Sequence, residues 1–306
     1  MIRPTAFSGN AVTQPTNHFQ SRKSTGAEEE VSATAVREFD ALYSALHLNG
    51  IELHVFPGRT TTRLPDEIFP NNWLTTHPDG TAVIYPLQAW NRRQERRRDI
   101  LEQLQKQADG FRIARVVDLS HLEAKNQFLE GSGSLVFDHK HRLAYANLSP
   151  RTHPEALKRF ANTVDYDIIG FNASDRDGHA IYHTNVMISL GEHFAVVCLE
   201  AINNVNERLQ VLGRLERSGR EIIEFTRDQL HSFVGNMLEL RGTQGNIIAM
   251  SERAQAALTD QQMDALSRYA RPVAVNVDTI EACGGGSVRC MLAELRLPRK
   301  TRATDQ

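Results

Sequence analysis

Five residues with reactive or hydrogen-bonding side chains recur along this chain of 306 residues at intervals of 53 to 58 residues. They are Asn72, Glu130, His183, Asn236 and Cys290. A thiol, an imidazole and a carboxylate are the groups that covalent thiol catalysis needs, as nucleophile, acid or base, and orienting partner. If the fold brings these positions together, the sequence therefore predicts a cysteine-dependent enzyme.

Cys290 lies just beyond a run of three glycines in the stretch "EACGGGSVRCMLAEL", residues 281–295. Cys283 also borders the glycines and is an alternative nucleophile, whereas Cys198 within "FAVVCLEAI" has the surroundings of a buried small hydrophobic residue. Three cysteines, an odd number in so long a chain, do not make a disulfide framework. Such cysteine usage is typical of a reducing cytoplasm, which is the location that we expect.

The same five positions mark the starts of repeating units. Each one precedes a stretch that alternates like a strand, and four of the five stretches contain a central turn. The stretches are "NWLTTHPDGTAVIYP", "GSLVFDHKHRLAYANL", "NVMISLGEHFAVVCL", "NMLELRGTQGNIIAMS" and "RCMLAEL". A period slightly above 50 residues predicts units that close around an axis or stack in an array.

Helical patterns and further strands complete the units. The predicted helices are "VREFDALYSALHLNG", "RRQERRRDILEQLQKQ", "HPEALKRFANTV", "NERLQVLGRLERSG" and "TDQQMDALSRYA". The strands that follow the first four helices are "IELHVF", "FRIARVV", "YDIIGF" and "EIIEFT". The first helix and strand would complete the last, partial unit, so we expect the two ends of the chain to meet. The sequence predicts a single α/β domain over residues 1–306.

Composition narrows the range of partners. The chain is 41% hydrophobic and 24% charged, which is ordinary for a globular protein, and its formal net charge of −2 gives no basic field for nucleic acid or anionic membranes. It contains no apolar run of the roughly 20 residues that a transmembrane helix needs. No cluster of residues shows the spacing of metal ligands, and we expect neither a metal nor a cofactor. The predicted partner is a small molecule, and the oligomeric state stays open, with a homodimer as one option.

Several segments resemble one family. "FLEGSGSLVF", "LSPRT", "YHTNVMIS" and "GGGSVRCM" are similar to the guanidino-modifying, or pentein, superfamily, which includes arginine deiminase, dimethylarginine dimethylaminohydrolase and the amidinotransferases. "IRPTAFSGN", "FPNNW" and "NRRQERR" are most similar to its citrulline-utilisation hydrolase branch. The resemblance implies a five-bladed, pseudo-symmetric α/β-propeller of ββαβ units, which agrees with the repeat.

The resemblance also implies catalytic roles for three residues. Cys290 matches the family's nucleophile, and His183 matches its general acid or base. Glu130 matches the carboxylate that supports the histidine and holds the planar nitrogen group of the substrate. A free thiol is mostly protonated near neutral pH, so the nucleophile would need an imidazolium or a cationic substrate beside it.

Further residues match the family's substrate contacts. Arg151 in "LSPRT" resembles an arginine that binds the α-carboxylate, and Arg92 or Arg93 in "NRRQE" resembles a second clamp. Because successive residues of the "RRQERRR" run point in different directions, at most one or two of its arginines can enter a site. Asp66 in "LPDEIFPNNW" resembles a substrate-binding aspartate. Weaker candidates, for the α-amino group, are Asp175 and Asp177.

Two departures from the family pattern concern the substrate. Arginine-handling relatives usually carry aspartate where this chain has Asn72, and many carry it where this chain has Asn185. A guanidinium group has only hydrogen-bond donors and favours carboxylates, whereas a ureido group offers both donors and an acceptor, as a primary amide does. Asn236 is a further amide at the predicted site. These amides favour citrulline as substrate and ornithine as product.

Other activities stay open at this stage. Asp66 and Glu130 together still suit a guanidinium, so arginine deiminase and dimethylarginine hydrolase activities are alternatives. An amidinotransferase, in which an amine replaces water as acceptor, is a third. A non-catalytic propeller that only binds a partner is an alternative of another class, although it would not need Cys290, His183 and Glu130 together.

Overall fold

The computed structural model of the protein describes residues 1–21, 27–60, 62, 64–107 and 110–300. The α-helices in this part of the chain are α1 (Glu28–Leu48), α2 (Arg98–Lys106), α3 (Gly131–Ser134), α4 (Pro154–Val164), α5 (Val205–Arg217), α6 (Arg227–Leu230), α7 (Glu252–Ala257), α8 (Asp260–Ser267) and α9 (Asp278–Gly284). The strands are β1 (Ile2–Arg3), β2 (Phe56–Pro57), β3 (Leu74–Thr76), β4 (Thr81–Ile84), β5 (Arg115–Asp118), β6 (Val136–Asp138), β7 (Leu143–Asn147), β8 (Asp167–Phe171), β9 (Ile188–Leu190), β10 (Phe194–Val197), β11 (Glu221–Glu224), β12 (Leu238–Gly242), β13 (Gly245–Ser251) and β14 (Arg271–Val275). None of the helices in the described ranges is both long and apolar enough to cross a membrane.

Four three-stranded sheets share one topology. In each, the first strand runs antiparallel to the second, and the third runs parallel to the second after a connection that contains a helix. The sheets are β3-β4-β5, β6-β7-β8, β9-β10-β11 and β12-β13-β14. A parallel pair needs such a crossover, whereas an antiparallel pair needs only a turn. The structure thus confirms the predicted ββαβ repeat.

The fifth unit is assembled from both ends of the chain. Strand β1 pairs in parallel with β2, and α1 connects them. The Glu38 carboxylate on α1 accepts hydrogen bonds from the backbone N–H groups of Thr279 and Ile280 at the start of α9, at 2.9 and 3.0 Å. Near the C-terminus, the Arg296 backbone N–H donates to the Thr76 hydroxyl at 2.8 Å. The ends of the chain therefore meet, as the repeat predicts.

Two local predictions were wrong. The stretch "RCMLAEL" forms no strand ladder; a short 3-10 turn, Val288–Met291, is followed by extended chain. Side chains take up its backbone groups, since Arg289 donates to the Leu292 carbonyl and the Thr76 hydroxyl to the Glu294 carbonyl. The stretch "RRQERRRDILEQLQKQ" is not one helix but a 3-10 turn, Trp90–Glu95, followed by α2. This turn buries an Arg92–Glu95 ion pair that a solvated helix face would leave in water.

The first strands of the four sheets and the C-terminal segment surround one axial cavity of about 900 Å³. Its wall includes Leu74, Val136, Ile188, Leu238 and Leu292, one from each unit. The segments that lead into these strands therefore also lie near the axis. This arrangement brings together residues that are far apart in sequence.

Candidate active site

The turns that precede the first strands of the sheets border a second, much smaller cavity. It has room for little more than one water molecule, about 10 Å³. Its wall combines these turns with an N-terminal segment and the glycine loop, residues 284–286. The lining residues are Thr13, Asn17, Asp66, Phe69, Asn72, Arg92, Arg151, Tyr182, His183, Gly284, Gly285, Gly286 and Cys290. The Cys290 thiol and the His183 imidazole therefore line one small cavity.

Glu130 and His183 form a buried pair. The Oε2 atom of Glu130 lies 2.9 Å from the Nε2 atom of His183, and both side chains are almost completely buried. The other carboxylate oxygen accepts from the backbone N–H of Gln88 at 3.0 Å. Burial opposes ionisation of Glu130, but Arg151, His183 and Arg92 outweigh it and hold the pKa of this carboxyl well below its usual range.

The protonation of His183 follows from its surroundings. Burial lowers the pKa of His183 to about 4, against the opposing effect of the hydrogen bond to Glu130. At neutral pH the ring is therefore uncharged. Because a carboxylate can only accept, the ring hydrogen must lie on Nε2, which leaves a lone pair on Nδ1. The imidazole is thus arranged to accept a proton at Nδ1, and Glu130 would stabilise the cation that results.

A short helical turn, α3, fixes the position of this pair. Ser134 accepts a hydrogen bond from the backbone N–H of Glu130 at 2.9 Å and donates one to the Arg151 carbonyl at 3.0 Å. Gly131 has a φ of 47°, a region that favours glycine. A Cβ atom on Gly133 would lie 2.6 Å from His183 Nδ1 and 2.7 Å from Asn72 Nδ2. The "GSGS" sequence is therefore needed for the backbone to approach the imidazole closely.

Gly133→Ala should displace the His183 ring without unfolding the protein. A shift of about 1 Å in a catalytic group typically costs on the order of a hundredfold in rate, so we expect a loss of that size in kcat/KM. Gly170→Ala is the matched control, because a Cβ there meets nothing within 4 Å. The measurement is steady-state activity together with circular dichroism. Equal activity of the two variants would contradict the close approach at Gly133.

Cys290 lies in the 3-10 turn Val288–Met291, where its backbone N–H donates to the Ser287 carbonyl at 2.9 Å. The thiol is only 3% exposed. The side-chain amide nitrogens of Asn236 and Asn185 lie 3.3 and 3.5 Å from its Sγ atom. The immediate neighbours of the sulfur are therefore neutral amides.

The other two cysteines have different surroundings. Cys283 lies on α9 in the same hydrophobic cluster as Cys290, but it does not line the small cavity, and burial raises the pKa of its thiol. Cys198 is fully buried in another hydrophobic cluster, and burial raises its pKa to about 12. Cys290, rather than Cys283, is thus the cysteine that shares a cavity with His183.

The glycine loop is held from both sides. The Asn17 amide nitrogen lies 3.3 Å from the carbonyl oxygens of Gly284 and Gly285, and the Tyr182 hydroxyl donates to the Gly285 carbonyl. Gly285 has a φ of 63°, and a Cβ atom there would lie 2.4 Å from the Asn17 amide. Glycine is therefore required at this position by both conformation and space.

Arg92 connects the acidic residues of the site. It donates to Glu95 at 2.8 to 3.1 Å and to the Asn72 side-chain oxygen at 2.9 Å, and its Nε atom lies 3.4 Å from Asp66 Oδ2. Burial would lower the pKa of Arg92, but Glu95, Asp66 and Glu130 raise it further above its usual range. Most of its N–H groups thus donate to protein side chains. Arg92 therefore stabilises the site more than it offers donors to a carboxylate ligand.

Asp66 is buried in the cavity wall and keeps one oxygen unused. Its Oδ2 atom accepts from the Asn10 amide at 2.7 Å, whereas Oδ1 has no hydrogen-bond partner among the described residues. Burial raises the pKa of Asp66, against the opposing charge of Arg92. An unpaired buried oxygen is costly unless a ligand satisfies it, so Asp66 retains the position of a substrate contact.

Arg151 crosses the cavity from the other side. Its guanidinium donates to the Thr13 carbonyl and the Thr16 hydroxyl, each at 3.0 Å, and lies 5.0 Å above the Tyr182 ring. Its Nη1 atom is 3.5 Å from Glu130. Arg151 therefore links the Glu130 carboxylate to the N-terminal segment.

Arg93 and Asp177, which the sequence also suggested, neither line the small cavity nor hydrogen bond to Cys290, His183 or Glu130 in the described part of the chain. Arg93 is one-third exposed, donates to the Leu87 carbonyl and lies 3.3 Å from Glu123. Asp177 is exposed, and its backbone N–H donates to Asp175 within the same loop. In the 3-10 turn Trp90–Glu95, Arg92 points inward and Arg93 points outward. The periodicity of the sequence alone does not reveal this difference.

The loop that contains Asp177 also holds a group of metal-ligand types. Asp175, Asp177 and His179 place one ligand atom each within 4.8 Å of one another. Asp175 already accepts two backbone hydrogen bonds from its own loop, and the other two residues are exposed. The contacts of Asp175 are those of a residue that stabilises a turn.

Sequence reasoning missed the N-terminal segment of the site. Asn10, Thr13, Thr16 and Asn17 hydrogen bond to Asp66, Arg151 and the glycine loop. This segment precedes the first repeating unit, so the spacing argument could not select it. Its signal was the string "SGNAVTQPTN", which is rich in small polar residues.

A family model described as N,N dimethylarginine dimethylhydrolase, eukaryotic, matches residues 3–297. No curated protein sequence matches at a significant level. Among solved structures, the chain is similar to apo ArgZ, an arginine dihydrolase from the ornithine–ammonia cycle in cyanobacteria, with a TM-score of 0.73 and 15% identity over 95% of this chain and 39% of that one. The chain thus spans about two-fifths of full-length ArgZ.

Two further structures match over nearly their whole length. The N-terminal domain of an ArgZ variant bound covalently to a reaction intermediate gives a TM-score of 0.73 at 15% identity, over 98% of this chain and 96% of that one. A dimethylarginine dimethylaminohydrolase adduct gives 0.63 at 14% identity, over 98% of both chains. At these identities the structures show the fold, and the family model shows the relationship. The chain belongs to the N,N-dimethylarginine dimethylhydrolase family, within the pentein superfamily of guanidino-modifying proteins.

Proposed function

We propose that the protein is a cysteine-dependent hydrolase that cleaves a C–N bond in the ureido group of citrulline and releases ornithine. The observation that carries this proposal is one small cavity that both Cys290 and His183 line, while His183 is hydrogen bonded to the ionised Glu130. Nucleophile, acid–base group and orienting carboxylate together are what covalent thiol catalysis requires. A purely binding module has no need of this combination.

In the proposed reaction, each chemical step has a residue that performs it. His183 takes the thiol proton at Nδ1, and the Cys290 thiolate adds to the trigonal carbon of the substrate to give a tetrahedral adduct. The imidazolium returns its proton to the departing nitrogen as the C–N bond breaks. Water then hydrolyses the covalent intermediate, and the thiol is regenerated. The overall balance is citrulline and water to ornithine, ammonia and carbon dioxide.

The neutral groups beside the sulfur support a neutral substrate. Asn185 and Asn236 stand next to Cys290 where carboxylates would favour a guanidinium. The Asn185 side-chain oxygen is buried and has no partner among the described residues, so it is available to a ureido N–H. Asn72 gives weaker support, because its oxygen already accepts from Arg92.

A second candidate substrate is arginine or its dimethyl derivative. The buried Asp66 carboxyl lines the cavity with one oxygen unpaired, and an ionised carboxylate there would suit a guanidinium. The family's name points the same way. Burial, however, raises the pKa of Asp66 and so works against the ionised form that a guanidinium favours.

Incubation of the purified protein with citrulline, arginine or dimethylarginine, followed by amino-acid analysis, tests the proposed function. We expect ornithine from citrulline. Addition of glycine separates a hydrolase from an amidinotransferase, because a transferase would consume glycine and form a guanidino or ureido acetate. The absence of any product from all three substrates would favour the non-catalytic alternative.

Arg151→Ala should weaken substrate binding more than it slows the bound substrate. We propose that Arg151 binds the α-carboxylate, a contact made equally in the ground state and the transition state, so KM should rise at least about tenfold while kcat falls less. Arg93→Ala is the matched control, since Arg93 lies outside the cavity. Steady-state kinetics with citrulline checks this expectation. An unchanged KM for Arg151→Ala would place the carboxylate contact elsewhere.

A further inference from the structure

We infer that the side chain of Asn236 is the group that stabilises the Cys290 thiolate, and that it does so before any substrate binds. The inference rests on the proposed function only in taking Cys290 as the nucleophile. Asn236 is fully buried, and its amide nitrogen lies 3.3 Å from Sγ. A donor at this distance favours the charged form of the sulfur.

The orientation of the amide follows from its second contact. The same nitrogen of Asn236 lies 3.0 Å from the backbone carbonyl oxygen of Asn185. A carbonyl oxygen can only accept, so the group that faces it must be the NH2 and not the amide oxygen. Of the two N–H bonds, one is directed to Asn185 and the other is left for Sγ.

The backbone holds Asn236 in this place. Its N–H donates to the Phe233 carbonyl at 2.8 Å, which closes a tight turn with Phe233 at a φ of 59°. A Cβ atom on Gly235 would lie 2.4 Å from the Val186 carbonyl oxygen, so the turn is pressed against the chain that follows His183. The backbone of Asn236 is therefore fixed beside the segment that follows His183.

Asn236 also suits the protonated thiol. Its side-chain oxygen lies 3.7 Å from Sγ, within reach of a weak S–H donor. The amide can thus accept from the thiol and donate to the thiolate. A carboxylate in the same place could only accept, and its charge would oppose the thiolate.

Charged and titratable groups also line the cavity that contains the sulfur. The groups that share its cavity are Asp66, Arg92, Arg151, Tyr182 and His183. Among the described residues, the hydrogen bonds donated to Sγ come from the two amides alone. Asn185 is the weaker of these donors, at 3.5 Å, and its unpaired oxygen suits a substrate contact instead.

The test is the rate at which iodoacetamide alkylates Cys290, followed by peptide mass spectrometry across a range of pH with no amino-acid substrate present. At pH 7 we expect Asn236→Ala to react about tenfold to a hundredfold more slowly than the wild type. Asn236→Asp, which keeps the shape of the side chain, should react more slowly still. Asn246→Ala, from the same unit of the fold, should behave like the wild type, because the Asn246 amide bonds to Glu239 and not to Cys290.

Circular dichroism of each variant separates lost structure from lost reactivity, and the isosteric Asn236→Asp decides the matter if the alanine variant does not fold. Unchanged alkylation in the Asn236 variants, or faster alkylation of Asn236→Asp, would overturn the inference. Because the assay contains no substrate, it can succeed if citrulline is not hydrolysed. It can equally fail while ornithine release is observed.

Discussion

Replacement of Cys290 by serine is expected to abolish turnover and leave the fold intact. A hydroxyl of similar size fits the turn Val288–Met291, but its much higher pKa prevents ionisation by a neutral imidazole. Loss of the nucleophile in an enzyme of this kind costs at least about a thousandfold in kcat. The measurement is product formation with citrulline, together with intact-protein mass spectrometry of acid-quenched mixtures, in which only the wild type should carry a covalent adduct.

Cys283→Ser is the matched control for this prediction. Cys283 borders the same glycine loop and packs in the same hydrophobic cluster as Cys290, but it does not line the cavity. We expect its serine variant to keep most of the wild-type activity. An inactive Cys283→Ser beside an active Cys290→Ser would reassign the nucleophile.

Exchange of two asparagines for aspartate should reverse the preference for substrate. Asn185 lies against Cys290, and Asn72 lies against Arg92. In the Asn72→Asp/Asn185→Asp variant, each side chain would lose its N–H donors and gain a negative charge, which a neutral ureido group cannot balance. The same carboxylates would pair with a guanidinium. We expect kcat/KM for citrulline to fall about tenfold to a hundredfold relative to that for arginine.

The single variants should contribute unequally. At position 72 the new charge would be partly neutralised by Arg92, whose Nη1 already lies 2.9 Å from the Asn72 oxygen. At position 185 the charge would stand beside the sulfur itself. We therefore expect Asn185→Asp to account for most of the change. A double variant that keeps the wild-type ratio of kcat/KM values would show that these amides do not select the substrate.

Much of the site could be predicted because the repeat is a property of spacing. Asn72, Glu130, His183, Asn236 and Cys290 hold equivalent places in the five units of the fold. Once the units close around an axis, Glu130 therefore approaches His183, and Asn236 approaches Cys290. Glycine-rich stretches mark the places where the backbone must approach a side chain closely, as Gly133 approaches His183. Both signals depend on local chain geometry, which a sequence records directly.

The remainder depends on contacts that spacing does not record. A buried ion pair with Glu95 decides that Arg92, and not Arg93, points inward. The pair lies in the 3-10 turn Trp90–Glu95, which ends before α2 begins at Arg98. The N-terminal segment reaches the site across the whole chain, through partners such as Arg151 for Thr13. Asp177 was selected for its loop position, but the loop hydrogen bonds to itself.

The most direct test of the central claim is the ratio of kcat/KM for citrulline to that for arginine in the wild-type protein, with ornithine, citrulline and ammonia all quantified. We expect citrulline to be the better substrate and each molecule consumed to yield one of ornithine and one of ammonia. Conversion of arginine to citrulline and ammonia, without ornithine release from added citrulline, would contradict it. The protein would then be an arginine deiminase that uses the same thiol.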